Sequence, residues 1–107
     1  MKLTITLSTS NAEVNWNAFR FANLALSKGD TVSIFLVGEG VEYGQINSSH
    51  FNIKEQVEKF LQSESSQIIA CGTCLAIRKQ EGSKECPEGG MEDWHRLVSE
   101  SDKVLTF

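Results

Sequence analysis

The segment from Thr31 to Val37, Thr-Val-Ser-Ile-Phe-Leu-Val, is the feature that most limits what this chain can fold into. It is strongly apolar at successive positions, so a strand formed by it needs cover on both faces. Strands buried on both faces are typical of parallel sheets that have helices packed against them. The segment therefore favours an α/β fold.

Strand-like and helix-like stretches alternate along the rest of the chain. Lys2–Leu7 alternates in polarity and predicts the first strand. Ser10 and Glu13 have the spacing of a capping box, which predicts that the first helix begins there, and Gly29 is a typical helix stop. The remaining predicted elements are strands over 67–71 and 103–107, helices starting near Asn52, Gly72 and Met91, and a short edge strand within 81–90.

This order of elements predicts right-handed βαβ units around one mainly parallel sheet of about four to five strands. The length of 107 residues suits a single domain over 1–107. Ligand sites of open parallel sheets lie outside the carboxyl ends of the strands. Three segments are expected at that edge, namely Ser8–Asn11, Gly38–Gly40 and the end of the third strand at Cys71.

The composition makes some classes of binding partner unexpected. The formal net charge is −4 and no basic run is present, so neither nucleic acid nor an anionic membrane surface is an expected partner. No apolar stretch approaches the ~20 residues of a membrane span, and the N-terminal residues do not resemble a signal peptide. We therefore expect a cytoplasmic protein that does not bind membranes.

Three cysteines, Cys71, Cys74 and Cys86, form the most informative cluster. An odd number argues against a disulfide framework, and clustered thiols in a reducing compartment indicate redox, sulfur or metal chemistry. Cys71 is predicted where a strand ends and a helix begins. The N–H groups of Gly72, Thr73 and Cys74 should stabilise a thiolate there and lower its pKa. Cys74, one helical turn on, could resolve or tune Cys71.

Other interpretations of the cysteines remain open at this point. Cys71 and Cys74 could form a dithiol redox switch. Cys71, Cys74, Cys86 and His95 could bind zinc in a binding or assembly module, although their spacing is unusual for a zinc site. Cys86 could reach the first two thiols from a flexible loop. All three cysteines could also be inert in an oligomer-forming domain.

The chain resembles the DsrE/DsrF-like family of small sulfur-transfer proteins. Two segments carry the resemblance, Ile69-Ala70-Cys71-Gly72-Thr73-Cys74-Leu75 and Asp102-Lys103-Val104-Leu105-Thr106-Phe107, and the order of elements agrees over the whole length. The resemblance implies a three-layer α/β/α fold and a homo-oligomer. It also implies that Cys71 accepts sulfane sulfur as a persulfide from a donor protein and passes it to an acceptor thiol. Such thiol-to-thiol transfer needs no organic cofactor.

Overall fold

A computed structural model describes residues 1–45 and 47–107 of the chain. The elements follow one another as β1 (Lys2–Leu7), α1 (Ala12–Ser27), β2 (Thr31–Leu36), a 3₁₀ helix (Gly38–Glu42), α2 (Ile53–Leu61), β3 (Ser66–Cys71), α3 (Gly72–Ile77), β4 (Glu88–Gly89), α4 (Met91–Glu100) and β5 (Lys103–Thr106).

The sheet has five strands in the order β4-β3-β2-β1-β5, and every neighbouring pair runs parallel. Ile5 lies beside Ile34 of β2, which lies beside Ile68 of β3, so the apolar centres of these three strands are in register. The predicted α/β class with a parallel sheet is confirmed. The short edge strand expected between residues 81 and 90 is β4.

Alternation along the strands divides the interior into two clusters. Leu3, Ile5 and Leu7 face α1 and α2, where they pack with fully buried Phe19 and Phe60 in the larger cluster. On the opposite face, a smaller cluster joins residues of β2 and β3 to α4; its members include Phe35, Ile69, Cys71, Leu97 and Trp94. Successive side chains of a strand point to opposite faces of the sheet, so helices pack on both faces. This gives the three layers that the resemblance implied.

Threonines of β1 fasten α4 to the sheet. The hydroxyl of Thr4 lies 2.6 Å from that of Ser101 and 3.3 Å from the carbonyl oxygen of Leu97, and the indole N–H of Trp94 donates to the Thr6 hydroxyl at 3.1 Å. Thr4 and Thr6 are buried, so their hydroxyl groups cannot hydrogen-bond to water. These bonds within the protein take the place of the bonds to water. The Trp94 ring is thereby held in a stack on Phe35, with centroids 5.1 Å apart.

The first helix begins one residue later than the capping-box spacing indicates. The side chain of Asn11, not Ser10, accepts the N–H of Val14 at 3.0 Å. Ser10 instead donates to the Glu39 carboxylate at 3.2 Å. The helix ends as predicted: Gly29 has φ +90, which a glycine adopts without strain.

In the described ranges 1–45 and 47–107, every helix is too short or too polar to span a bilayer.

Candidate thiol site

The carboxyl ends of β1, β2 and β3 bring the three predicted segments to one edge of the sheet. Ser10 of the first segment reaches Glu39 of the second. Gly40 packs so tightly on β1 that a Cβ atom there would stand 2.0 Å from the carbonyl oxygen of Leu7. The third segment begins at Cys71, the last residue of β3. The expected convergence of these segments is confirmed.

Cys71 lies at the junction of β3 and α3, as the sequence predicted, but it is only 2% exposed. Its side chain belongs to the smaller cluster with Phe35, Leu97 and Trp94. The backbone of Gly89 in β4 pairs with it on the outer side. The thiol is therefore enclosed between the sheet and α4.

Burial raises the pKa of the Cys71 thiol. The N–H groups of Cys74 and Thr73 act in the opposite, predicted direction, while the neighbouring Cys74 side chain raises the pKa further. The Cys71 sulfur makes no capping hydrogen bond with the first turn of α3. The prediction of a lowered pKa is therefore wrong, because a helix only six residues long does not offset the loss of hydration.

Cys74 is the more accessible member of the pair. It is partly exposed, and its sulfur accepts the backbone N–H of Gly38 at 3.2 Å. Its carbonyl oxygen accepts a hydrogen bond from the Arg78 guanidinium at 3.2 Å. Cys74 therefore contacts the loop after β2 while its side chain lies next to that of Cys71.

Gly72 and Thr73, the two residues predicted to stabilise the thiolate, differ in their surroundings. Thr73 is exposed, and its N–H is one of the two that lower the pKa of Cys71. Gly72 adjoins β4, since a Cβ atom at this position would stand 3.5 Å from a carboxylate oxygen of Glu88. Glu88 is itself fixed by the N–H of Gly82, which it accepts at 3.0 Å.

Gly38, Glu42 and Arg78 make contacts at the site that the sequence analysis did not predict, although it did expect Gly38 at this edge of the sheet. Gly38 has φ +58 and directs its N–H at Cys74. Glu42 forms a partly buried ion pair with Arg78, which joins the 3₁₀ helix to the end of α3. A glycine directly after a buried strand was the one available signal for Gly38, but its partner lies 36 residues away in sequence.

The structure places Cys86 on the other face of the sheet from Cys71. Cys86 packs against the larger cluster, whereas Cys71 belongs to the smaller one across the sheet. Burial raises the pKa of Cys86 to about 11. The prediction that Cys86 reaches the first two cysteines from a flexible loop is not supported by this placement.

The structure also does not bring the four proposed zinc ligands together. His95 lies exposed on α4, where its ring is 3.4 Å from the Ser99 hydroxyl. Outside position 46, the chain contains no group of three or more His, Cys, Asp or Glu side chains arranged to hold a metal ion. Cys71, Cys74, Cys86 and His95 therefore do not form one ligand set.

Comparison with known proteins agrees with the order of elements. The sequence matches the DsrE/DsrF-like family over residues 1–107, its full length. The chain belongs to the DsrE/DsrF-like family. Membership connects it in general terms with sulfur-relay proteins, and it identifies the fold of this DsrE-like chain more closely than its chemistry.

Individual relatives of this DsrE-like chain cover it almost completely. It is 31% identical to the uncharacterized protein MK0008 of Methanopyrus kandleri, across 98% of this chain and 93% of that protein. It is also 31% identical to the uncharacterized protein MJ0989 of Methanocaldococcus jannaschii, with 100% of both chains covered. The crystal structure of the ychN protein from E. coli superposes with a TM-score of 0.82 over 100% of both chains at 21% identity. This last likeness shows a shared fold.

Proposed function

We propose that this protein is a sulfur carrier of the sulfurtransferase type that holds sulfane sulfur as a persulfide on the Cys71–Cys74 pair, with Cys71 as the carrier. The single observation that carries the proposal is that two free thiols lie side by side at the carboxyl edge of the parallel sheet. Sulfur-relay chemistry in the family at large adds support. The transfer moves sulfur between thiols and requires no organic cofactor.

A thiol-to-thiol relay needs partners and a reducing compartment. The proposal therefore includes a donor that presents a persulfide, an acceptor with a free thiol, and a cytoplasmic location, where cysteines stay reduced. We further propose a homo-oligomer, supported by the exposed apolar side chains of Phe21 and Leu24 on α1. Neither nucleic acid nor a membrane is part of the proposal.

The test is intact-mass measurement after incubation with glutathione persulfide. The wild-type protein should gain the mass of one sulfur atom, and the adduct should disappear on reduction. The double variant Cys71→Ser/Cys74→Ser should gain none. The matched control is Cys86→Ser, which removes a thiol that packs elsewhere and should leave uptake unchanged. Absence of the adduct from wild-type protein would reject the proposal.

A dithiol switch is the second candidate function, favoured by the contact between the Cys71 and Cys74 side chains. In that case the pair would cycle between thiols and a disulfide with a defined two-electron potential. Loss of two hydrogen masses on oxidation, without any gain of sulfur from glutathione persulfide, would distinguish the switch from the carrier.

A further inference from the structure

The two thiols of the site differ in their access to solvent. Cys71 is 2% exposed and lies under the α4 residues Trp94 and Leu97, whereas Cys74 is partly exposed. A persulfide donor must bring its outer sulfur into line with an attacking sulfur atom. Only Cys74 can be approached from solution in this way without displacement of α4.

A backbone donor is directed at the sulfur of Cys74. The Gly38 N–H donates to it at 3.2 Å, so a backbone amide holds this sulfur in position. The loop that carries the Gly38 N–H is fixed at two points. Gly40 packs against the Leu7 carbonyl, and Glu42 is paired with Arg78. The loop therefore presents a fixed amide to Cys74 before any substrate arrives.

Two adjacent thiols resist being ionised together. Burial and the neighbouring Cys74 both raise the pKa of Cys71, so this residue keeps its proton at neutral pH. Cys74, by contrast, is partly exposed and accepts the Gly38 amide. The fold thus separates a thiol suited to attack from a thiol suited to remain covered.

From these differences we infer that Cys74 receives sulfur from the donor and that Cys71 stores it, an assignment of roles that rests on the proposed function. In the first step, the Cys74 thiolate attacks the outer sulfur of the donor R–S–SH. The donor S–S bond breaks, R–S⁻ leaves with the electron pair, and Cys74 becomes a persulfide.

In the second step, the sulfur of Cys71 attacks the outer sulfur of the Cys74 persulfide. The bond between the outer sulfur and Cys74 breaks, and the proton lost by Cys71 passes to the departing Cys74 sulfur. Cys71 becomes the persulfide and Cys74 returns to a thiol, with no net oxidation. The apolar surroundings of Phe35, Trp94 and Leu97 then shield the stored sulfur from small thiols.

The experiment uses single variants in a Cys86→Ser background, with glutathione persulfide as donor and intact mass as readout. Cys74→Ser should slow sulfur uptake by about tenfold or more, because only the covered thiol remains. Cys71→Ser should take up sulfur within about threefold of the background rate. Its sulfur now rests on the accessible residue, so added glutathione should remove it about tenfold faster than from the background protein.

Circular dichroism of each variant verifies that the fold is retained. Normal uptake by Cys74→Ser together with lost uptake by Cys71→Ser would overturn the assignment while leaving the carrier function intact. Equal loss in both single variants would also overturn it, because neither thiol would then act alone. Failure of the background protein to take up any sulfur would reject the carrier function and this inference with it.

Discussion

Cys71 and Cys74 are only three residues apart, but the fold treats their sulfur atoms differently. Cys71 faces the apolar cluster under α4, and Cys74 faces the loop that follows β2. Neighbours distant in sequence decide this difference, since Trp94 and Leu97 cover one sulfur and Gly38 donates to the other. The reactivity that we propose for this site therefore depends on the environment of each thiol rather than on the Cys-x-x-Cys spacing.

Cys86 provides a residue-scale test through the pH dependence of stability. Burial raises its pKa from 9.0 to about 11, so the folded chain keeps a proton that the unfolded chain loses between these values. The free energy of unfolding should therefore fall as the pH rises from about 9 to about 11, and Cys86→Ser should flatten that part of the curve.

Urea denaturation across this pH range, compared between wild type and Cys86→Ser, measures the effect. Tyr43→Phe is a second probe, because burial, together with the nearby charges of Cys86 and Glu85, raises the pKa of Tyr43 to about 12. The Tyr43→Phe variant should differ from wild type in the higher part of the alkaline range. Parallel curves for wild type and Cys86→Ser would show that the Cys86 thiol titrates normally.

Gly40 provides a second residue-scale prediction. A Cβ atom there would overlap the Leu7 carbonyl oxygen at 2.0 Å, so Gly40→Ala must push the 3₁₀ helix away from β1. We expect the free energy of unfolding to fall by about 2 kcal/mol, which is the usual cost of overpacking a protein interior. Gly44→Ala is the matched control, since nothing lies within 4 Å of its added Cβ. Equal thermal stability of the two variants would contradict the close packing of Gly40.

At the scale of elements, the start of α1 shows how a cap is chosen. Ser10 and Asn11 are both good capping residues, and the capping-box spacing favours Ser10. Asn11 is the cap because the Ser10 hydroxyl donates its hydrogen bond to the carboxylate of Glu39, on the loop after β2. The competition is decided by a contact between two loops at the carboxyl edge of the sheet.

The choice of cap can be tested by a pair of alanine variants. Asn11→Ala removes the acceptor of the Val14 N–H and should cost about 1 kcal/mol of stability. Ser10→Ala removes an exposed contact with Glu39 and should cost less than about 0.5 kcal/mol. Chemical denaturation of both variants gives the comparison. A larger loss for Ser10→Ala would place the cap at Ser10 after all.

At the scale of the whole molecule, one face of α1 stands out because it exposes apolar side chains beside the C-terminus. Phe21 is 44% exposed and Leu24 is 54% exposed, and both lie close to Phe107, which follows edge strand β5. Exposed apolar side chains grouped in this way are typical of protein interfaces. This face is where we expect copies of the chain to meet in the proposed homo-oligomer.

Light scattering coupled to size exclusion tests this expectation. Phe21→Glu should reduce the mass of the assembly, because it places a charge in the centre of the contact. Val98→Glu on α4 is the matched control, since Val98 is 42% exposed and lies on the opposite side of the sheet. An assembly unaffected by Phe21→Glu, or a monomeric wild-type protein, would exclude this face as the interface.

Hydrophobic periodicity alone was sufficient to predict most of the architecture. The apolar segment from Thr31 and the alternation in Lys2–Leu7 are local patterns, and each predicts its own strand. The strand–helix junction at Cys71 was predictable for the same reason, since an apolar strand directly precedes Gly-Thr-Cys-Leu. Parallel pairing follows because each connection carries a helix back across the sheet.

Only the tertiary structure decided the chemistry around the thiols. The direction of the pKa shift at Cys71 depends on how completely α4 excludes water, and that burial comes from residues more than twenty positions away. The Gly38 amide reaches Cys74, and Cys86 packs in a different cluster from Cys71, because of how the layers stack. Local sequence determines which segments form strands and helices, whereas hydration and hydrogen bonding at a site depend on every chain segment that surrounds it.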